Sequence, residues 1–105
     1  MSRFEYIASG RNRAVFRISD RNVIKIPIND YGIADNIYEA SGLKTMSGIK
    51  TAKCRLYKNF CLIMEYVEQA TENWDDLPEW TFLVDCKQVG YNRNKKLVAY
   101  DFGRF

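Results

Sequence analysis

The sequence predicts an α+β fold, in which a five-stranded antiparallel sheet with one packed helix is followed by a short helix and a C-terminal β-hairpin. Short apolar segments separated by turn-forming residues fill the first 28 positions, which indicates consecutive strands. One stretch, residues 32–46, then repeats its apolar residues at helical spacing. Strand-like segments return after it, and this order is typical of a sheet that carries a helix on one side.

Length and composition fit a single domain. The chain has 105 residues, of which 47% are hydrophobic, enough for an ordinary packed core. We therefore treat residues 1–105 as one domain, with the sheet and helix in 1–67 and the linker, short helix and hairpin in 68–105. The sequence has no apolar run of transmembrane length and no signal-peptide core at its start, so no membrane association and a cytoplasmic location are expected.

Charge and residue usage exclude several kinds of function. The net charge of +3 is too small to indicate nucleic-acid binding. The sequence contains no histidine, which rules out His-based catalytic triads and the common zinc sites. Its three cysteines are scattered without metal-ligand spacing, and we expect reduced thiols. Any catalysis would have to use carboxylates, lysine or a bound metal.

Three strands are predicted before the helix. Residues 4–8, 14–18 and 23–28 are rich in apolar side chains and are separated by clusters of Ser, Gly, Asp and Asn. Such short connections favour an antiparallel meander. Pro27 indicates that the third strand ends at an edge or a break.

The helix is predicted over residues 32–46. Its apolar residues fall at i, i+4, i+7 and i+10 and form a stripe that should face the core: Ile33, Ile37, Ala40 and Leu43. Asn29 or Asp30 can cap its start, and Gly48 lies just past its end. Glu39 lies near the edge of the stripe.

A second group of strands follows the helix. Residues 52–57 and 60–67 predict a hairpin, and the second of these segments is almost continuously apolar, as in a buried central strand. A polar linker over 68–76 leads to a short helix that begins at Pro78. The apolar face of this helix is expected to contain Trp80, Leu83 and Val84. Residues 89–91 and 96–100 predict the last hairpin.

Four residues could carry chemistry, and each also has an ordinary structural interpretation. Lys25 lies in an apolar strand and either faces the core, where it needs an anion, or faces solvent at an edge. Glu39 could reach an inward lysine or simply border the apolar stripe. Gly10 could bring backbone N–H groups to a phosphate or form a hairpin turn. Asp101 follows a strand and precedes Phe-Gly, as a metal-binding aspartate would.

The order and spacing of these residues resemble the N-terminal lobe of the protein-kinase fold. Residues 8–16 resemble the glycine-rich nucleotide loop, and 23–26 resemble the strand with the ATP-phosphate lysine. Glu39 stands on the next helix, where that lysine's partner is found. Residues 64–67 resemble the adenine-binding hinge, and 98–103 the metal-binding aspartate motif. The overall pattern is also similar to small kinase-like proteins of bacteriophages and bacteria.

The resemblance implies a site for ATP and Mg²⁺. The residues that it assigns to the nucleotide are Gly10, Lys25, Glu39, Glu65 and Val67. Asp101 would bind the metal, together with Gln88, which stands nearest to the place of the family's metal-binding Asn. Ala8 and Arg13 stand where the family prefers glycines, which weakens the backbone cradle, although Arg11 or Arg13 could contribute charge.

The catalytic parts of the family are mostly missing from this sequence. No His-Arg-Asp motif is present, and Asp85 is the nearest candidate for the catalytic base, with Gly90 where the Asn should follow. Only Arg104 and Phe105 follow the Asp-Phe-Gly motif, so no activation segment or peptide platform is expected. Phosphoryl transfer needs substrate, metal and base to be positioned together.

These observations favour a minimal kinase-like pseudoenzyme that binds a partner protein as a regulator or inhibitor. A phage protein directed at a host enzyme or defence complex, in the host cytoplasm, would fit its size. The alternative is a reduced Mg-ATP-dependent phosphotransferase with Asp85 as its base. A third hypothesis, a generic α+β interaction domain, predicts that Lys25 and Glu39 do not pair.

Overall fold

The protein is described by a computed structural model that covers residues 4–43, 45, 48–84 and 88–100. These residues form one α-helix and eight strands in two antiparallel sheets, so the predicted α+β fold is confirmed. In the described part of the chain, no helix has the length and apolar character needed to span a bilayer.

The larger sheet has five strands in the order β1-β2-β3-β5-β4. The strands are β1 (Glu5–Ser9), β2 (Arg13–Arg17), β3 (Asn22–Pro27), β4 (Cys54–Leu56) and β5 (Leu62–Glu65). The predicted meander of β1 to β3 and the predicted hairpin of β4 and β5 are both present. β3 is the central strand, bonded to β2 and β5 at Lys25, so the solvent-facing edge is not the alternative observed for this residue. The strand ends at Pro27, as predicted.

The helix α1 (Asp30–Ser41) is shorter than predicted. Asn29 is its N-cap, and its Oδ1 accepts a hydrogen bond from the Gly32 N–H at 2.9 Å. The helix ends at Gly42, not near Gly48, because Gly42 adopts a left-handed conformation with φ 73° and its N–H bonds the Glu39 carbonyl.

The most buried residues of α1 are not apolar, and the predicted apolar stripe was partly wrong, since Ile33 and Ala40 are half-buried but the other two members are exposed. Ile37 is 44% exposed and Leu43 is 50% exposed, whereas the buried residues of the helix are Gly32, Asn36 and Glu39. Gly32 permits close packing, since a Cβ there would lie 2.2 Å from the Asn12 carbonyl oxygen. Asn36 and Glu39 are buried because they form hydrogen bonds or ion pairs with Arg13 and Lys25 of the sheet.

The smaller sheet has three strands, β6 (Glu68–Gln69), β7 (Val89–Tyr91) and β8 (Leu97–Ala99), in that order. The predicted hairpin is β7 and β8, and the predicted polar linker in fact supplies β6 and a 3₁₀ turn over Trp74–Asp76. The short helix is a 3₁₀ segment, Glu79–Leu83. Its predicted apolar face was partly wrong, because Leu83 is exposed while Thr81 and Val84 are buried.

The hydrophobic core lies between the two sheets. It contains residues of both sheets and of the segments that join them: Val23, Ile49, Ala52, Met64, Leu77, Val84, Val89, Val98 and Ala99. Backbone hydrogen bonds strengthen this contact, since the Ala52 N–H donates to the Ala99 carbonyl at 2.8 Å and the Ala99 N–H donates to the Lys50 carbonyl at 2.7 Å. The second sheet is therefore held firmly against the first.

Candidate functional site

A cavity of about 720 Å³ opens between the first strands of the larger sheet and the smaller sheet. One part of its wall is apolar and is formed by Ala8, Val15, Val23, Met64 and Val67. Another part is polar and contains Gly10, Arg11, Arg13, Lys25, Asp35 and Gln88. A cavity with an apolar wall and a few polar groups is typical of small-molecule sites.

Lys25 faces the interior of the protein, so the inward alternative for this residue is the one observed. Its side chain lines the cavity and is 3% exposed. The Nζ atom donates to Glu39 Oε1 at 2.9 Å and to the Tyr100 carbonyl at 2.7 Å. Glu39 is 1% exposed and lies behind the lysine on α1. The pair that a generic interaction domain would lack is therefore formed.

Glu39 also pairs with Arg13, which was predicted only as a possible charge in the glycine-rich loop. Arg13 Nη1 lies 2.5 Å from Glu39 Oε2, an ion pair without hydrogen-bond geometry. The same Nη1 donates to Asn36 Oδ1 at 3.0 Å. The carboxylate is thus shared by two cations, one at each oxygen. Arg13 alternates with the inward residue Val15 along β2, which is the signal that could have placed it inside.

Asn36 is the residue of this group that was not predicted from the sequence. It is fully buried, and its Nδ2 donates to the Lys25 carbonyl at 3.0 Å and to the Phe60 carbonyl at 2.8 Å. Together with the bond from Arg13, Asn36 connects α1 to β2, β3 and the turn before β5. We call Arg13, Lys25, Asn36 and Glu39 the polar cluster.

The polar cluster is expected to add little to the free energy of unfolding, although its members are almost completely buried. Taking ionised groups out of water is costly, and their attraction roughly balances that cost when the geometry is good. Removing one member, in contrast, leaves a buried charge without its partner and costs several kcal/mol. A buried ion cluster at the wall of a cavity is therefore a candidate functional site.

Cys54 lies beside Glu39. Its Sγ donates to the Glu39 backbone carbonyl at 3.4 Å. Burial raises the pKa of the Cys54 thiol to about 11, and the negative charge of Glu39 acts in the same direction. The thiol is therefore protonated at neutral pH and poorly reactive.

Gly10 and Gln88 both line the cavity. The Gly10 N–H donates to the Arg13 carbonyl at 2.9 Å, which closes the turn between β1 and β2. No atom lies within 4 Å of the position that a Cβ would take at Gly10, so its surface is open toward the cavity. The Gln88 carbonyl accepts a hydrogen bond from the Tyr100 N–H at 3.0 Å, which joins the two strands of the last hairpin.

Of the two residues predicted for a hinge, Val67 lies at the cavity and Glu65 does not. The Glu65 side chain is engaged outside it, where its Oε2 accepts from the Lys53 N–H at 2.8 Å. Between them, the Tyr66 ring stacks under the Arg17 guanidinium, 3.9 Å from the ring centre, which fixes the segment that joins the two sheets.

The predicted base Asp85 and metal ligand Asp101 lie outside the described residues. Of the implied Mg²⁺ ligands, only Gln88 can be placed, and its amide oxygen is a suitable hard ligand on the cavity wall. Within the described ranges, no group of three acidic, His or Cys side chains could hold a metal ion. A metal here would need ligands from Asp101 or from the nucleotide itself.

Comparisons with protein-family models, curated proteins and solved structures found no match to this chain.

Proposed function

We propose that this protein is a kinase-like module that binds an adenine nucleotide in the cavity and regulates a partner protein, without efficient phosphoryl transfer. The observation that supports it best is the Lys25–Glu39 pair, at 2.9 Å, on the wall of a cavity whose other side is apolar. This pair has the residue types and the order that the kinase resemblance assigns to phosphate binding.

Each part of the cavity has a role in this proposal. The base would lie against the apolar wall near Met64 and form hydrogen bonds with the backbone of Val67. The phosphates would lie beside Lys25 and the open surface of Gly10. Glu39 would orient the lysine from behind. Bound Mg²⁺ would neutralise phosphate charge, with Gln88 and Asp101 as its protein ligands.

Binding is favoured over transfer because the sequence offers Asp85 as a base without the His-Arg that normally precedes it. A protein partner is supported by several large apolar side chains on the surface, among them Phe4, Tyr6, Tyr31 and Phe60. A phage-encoded inhibitor of a host enzyme or defence complex would act in this way. The alternative, a reduced phosphotransferase, would use Asp85 as base and Gln88 and Asp101 at the metal.

Calorimetry and thermal unfolding with ATP, ADP and GTP, each with and without Mg²⁺, test nucleotide binding. We expect ATP to raise the melting temperature of the wild type and of Lys58→Ala, an exposed lysine outside the cavity, but not of Lys25→Met. Circular dichroism of Lys25→Met controls for folding. Equal ATP shifts in wild type and Lys25→Met would contradict the proposed site.

Radiolabelled ATP separates the regulator from the phosphotransferase. We expect no transfer to the protein itself, to water or to lysate proteins. Transfer that Asp85→Asn abolishes would favour the enzyme instead. Affinity capture from a lysate, with and without ATP, then tests whether partner binding depends on the occupied cavity.

A further inference from the structure

Arg13 occupies a position where kinases prefer a small glycine, yet its side chain is directed inward and lines the cavity. It is 9% exposed, and its Nη1 contacts both Glu39 and Asn36. Arg11, the other basic residue of the same loop, also lines the cavity but is exposed to solvent. The two arginines therefore differ in how far their charge is screened, although both could reach a ligand.

Asn36 fixes the position of the Arg13 side chain. Its Oδ1 accepts from Arg13 while its Nδ2 donates to two backbone carbonyls, of Lys25 and Phe60, so the amide cannot rotate without losing three hydrogen bonds. A guanidinium that is held in one orientation loses less entropy when it binds an anion than a mobile surface arginine does.

We propose that Arg13 is a second phosphate-binding cation of the cavity, that Asn36 is its positioning residue, and that the site therefore selects nucleoside polyphosphates over nucleosides. This inference rests on the proposed function. Lys25 and Arg13 bind opposite oxygens of one carboxylate, so both positive charges are held at the same end of the cavity. Arginine stays charged at every accessible pH and presents several donors to phosphate oxygens.

A purely structural role for Arg13 makes a different prediction. If the guanidinium only neutralised Glu39, its loss would leave that carboxylate's charge uncompensated beside Lys25, and ATP would bind more weakly only while the carboxylate is present. If it binds phosphate, its loss must also weaken ATP selectively in the Glu39→Gln background, where the carboxylate is absent. The ratio of the dissociation constants of adenosine and ATP, measured in that background, therefore distinguishes the two roles.

The test is calorimetric titration of ATP, ADP and adenosine, without metal, into wild type, Arg13→Gln and Arg93→Gln. We expect Arg13→Gln to lower ATP affinity about tenfold or more, to lower ADP affinity less, and to change adenosine affinity less than about twofold. Arg93→Gln, the control, removes an exposed arginine outside the cavity and should leave the affinity for ATP unchanged.

Glu39→Gln and the double variant Arg13→Gln/Glu39→Gln keep the test valid if Arg13→Gln does not fold. These two proteins differ only in the charge of residue 13, and neither leaves the Glu39 carboxylate without its arginine. We expect the tenfold loss of ATP affinity between them as well. An unchanged ratio of ATP to adenosine affinity between Glu39→Gln and the double variant would overturn the role of Arg13 while nucleotide binding stands. A wild type that binds neither compound would overturn the proposed function too.

Discussion

The five-stranded sheet has two buried contacts, and they are built from opposite kinds of residue. Its contact with the smaller sheet is apolar and includes Val23, Met64 and Val89. Its contact with α1 is polar, and Asn36 and Glu39 meet the side chains and backbone of the strands. Apolar contacts contribute stability in proportion to the area buried, whereas buried ions and amides contribute little net stability but require one geometry. The apolar contact therefore stabilises the protein, and the polar contact with α1 fixes the geometry of the candidate site.

Loss of the carboxylate should have the largest effect on the polar contact. Glu39→Ala leaves Lys25 and Arg13 without the anion that they share, so we expect the free energy of unfolding to fall by about 3–5 kcal/mol. Urea denaturation measures the change. The exposed acid Glu79 provides the control, and Glu79→Ala should stay within about 0.5 kcal/mol. A Glu39→Ala protein as stable as the wild type would show that the cluster is not electrostatically coupled.

The apolar contact is tested by Ile49→Ala. Ile49 is buried in the core, and its truncation should cost about 2–5 kcal/mol through lost burial and the cavity left behind. Unlike Glu39→Ala, it should leave the ratio of ATP to adenosine affinity unchanged in the folded fraction. Ile37→Ala, which removes an exposed isoleucine of α1, should be nearly neutral in the same denaturation assay. If Ile37→Ala proved the more damaging of the two, the assignment of the helix face would be wrong.

A smaller effect is expected where α1 ends. Gly42 has φ 73°, and no atom lies within 4 Å of the position of a Cβ, so Gly42→Ala should cost about 1–2 kcal/mol from backbone strain alone. Gly10→Ala is the matched control, because Gly10 has an equally open surface without a positive φ. Thermal unfolding should separate the two variants, and equal melting temperatures would argue against a left-handed helix end.

The smallest effect is the pH dependence contributed by Cys54. Its thiol pKa is about 11 in the folded protein against 9.0 for an ordinary cysteine, so the unfolded chain loses the proton first as the pH rises. Stability should therefore fall between about pH 9 and pH 11, and more in the wild type than in Cys54→Ala. Denaturation midpoints at pH 8 and pH 10 give the difference, and parallel losses in both proteins would contradict a buried thiol.

Much of the fold could be predicted from the sequence because strands and tight turns are encoded locally. The meander, the β4–β5 hairpin and the final hairpin all follow from apolar segments bounded by turn residues. β6 could not be predicted, since its two residues pair with a strand about 20 positions later. The Lys25–Glu39 pair was predicted from the order of its residues and the resemblance, not from periodicity.

The polar face of α1 and the pairing of Arg13 with Glu39 could not be predicted because their causes are not local. Asn36 and Glu39 are buried only because distant groups meet them, and these lie on β2, β3 and the turn before β5. The helical periodicity of the apolar residues predicted that Ile37 and Leu43 face the core, but both are exposed. The sequence contained no local sign that a polar face would be buried instead.

The polar face of α1 has a consequence for how this protein can change in evolution. An apolar face tolerates exchange of one hydrophobic residue for another, since its contacts have no direction. Asn36 and Glu39 instead hold the helix at one rotation about its axis through bonds to Arg13 and Lys25. Substitution of any one of these four residues leaves the others without a hydrogen-bond or ion-pair partner. In diverging relatives, the four should therefore be exchanged together or retained together.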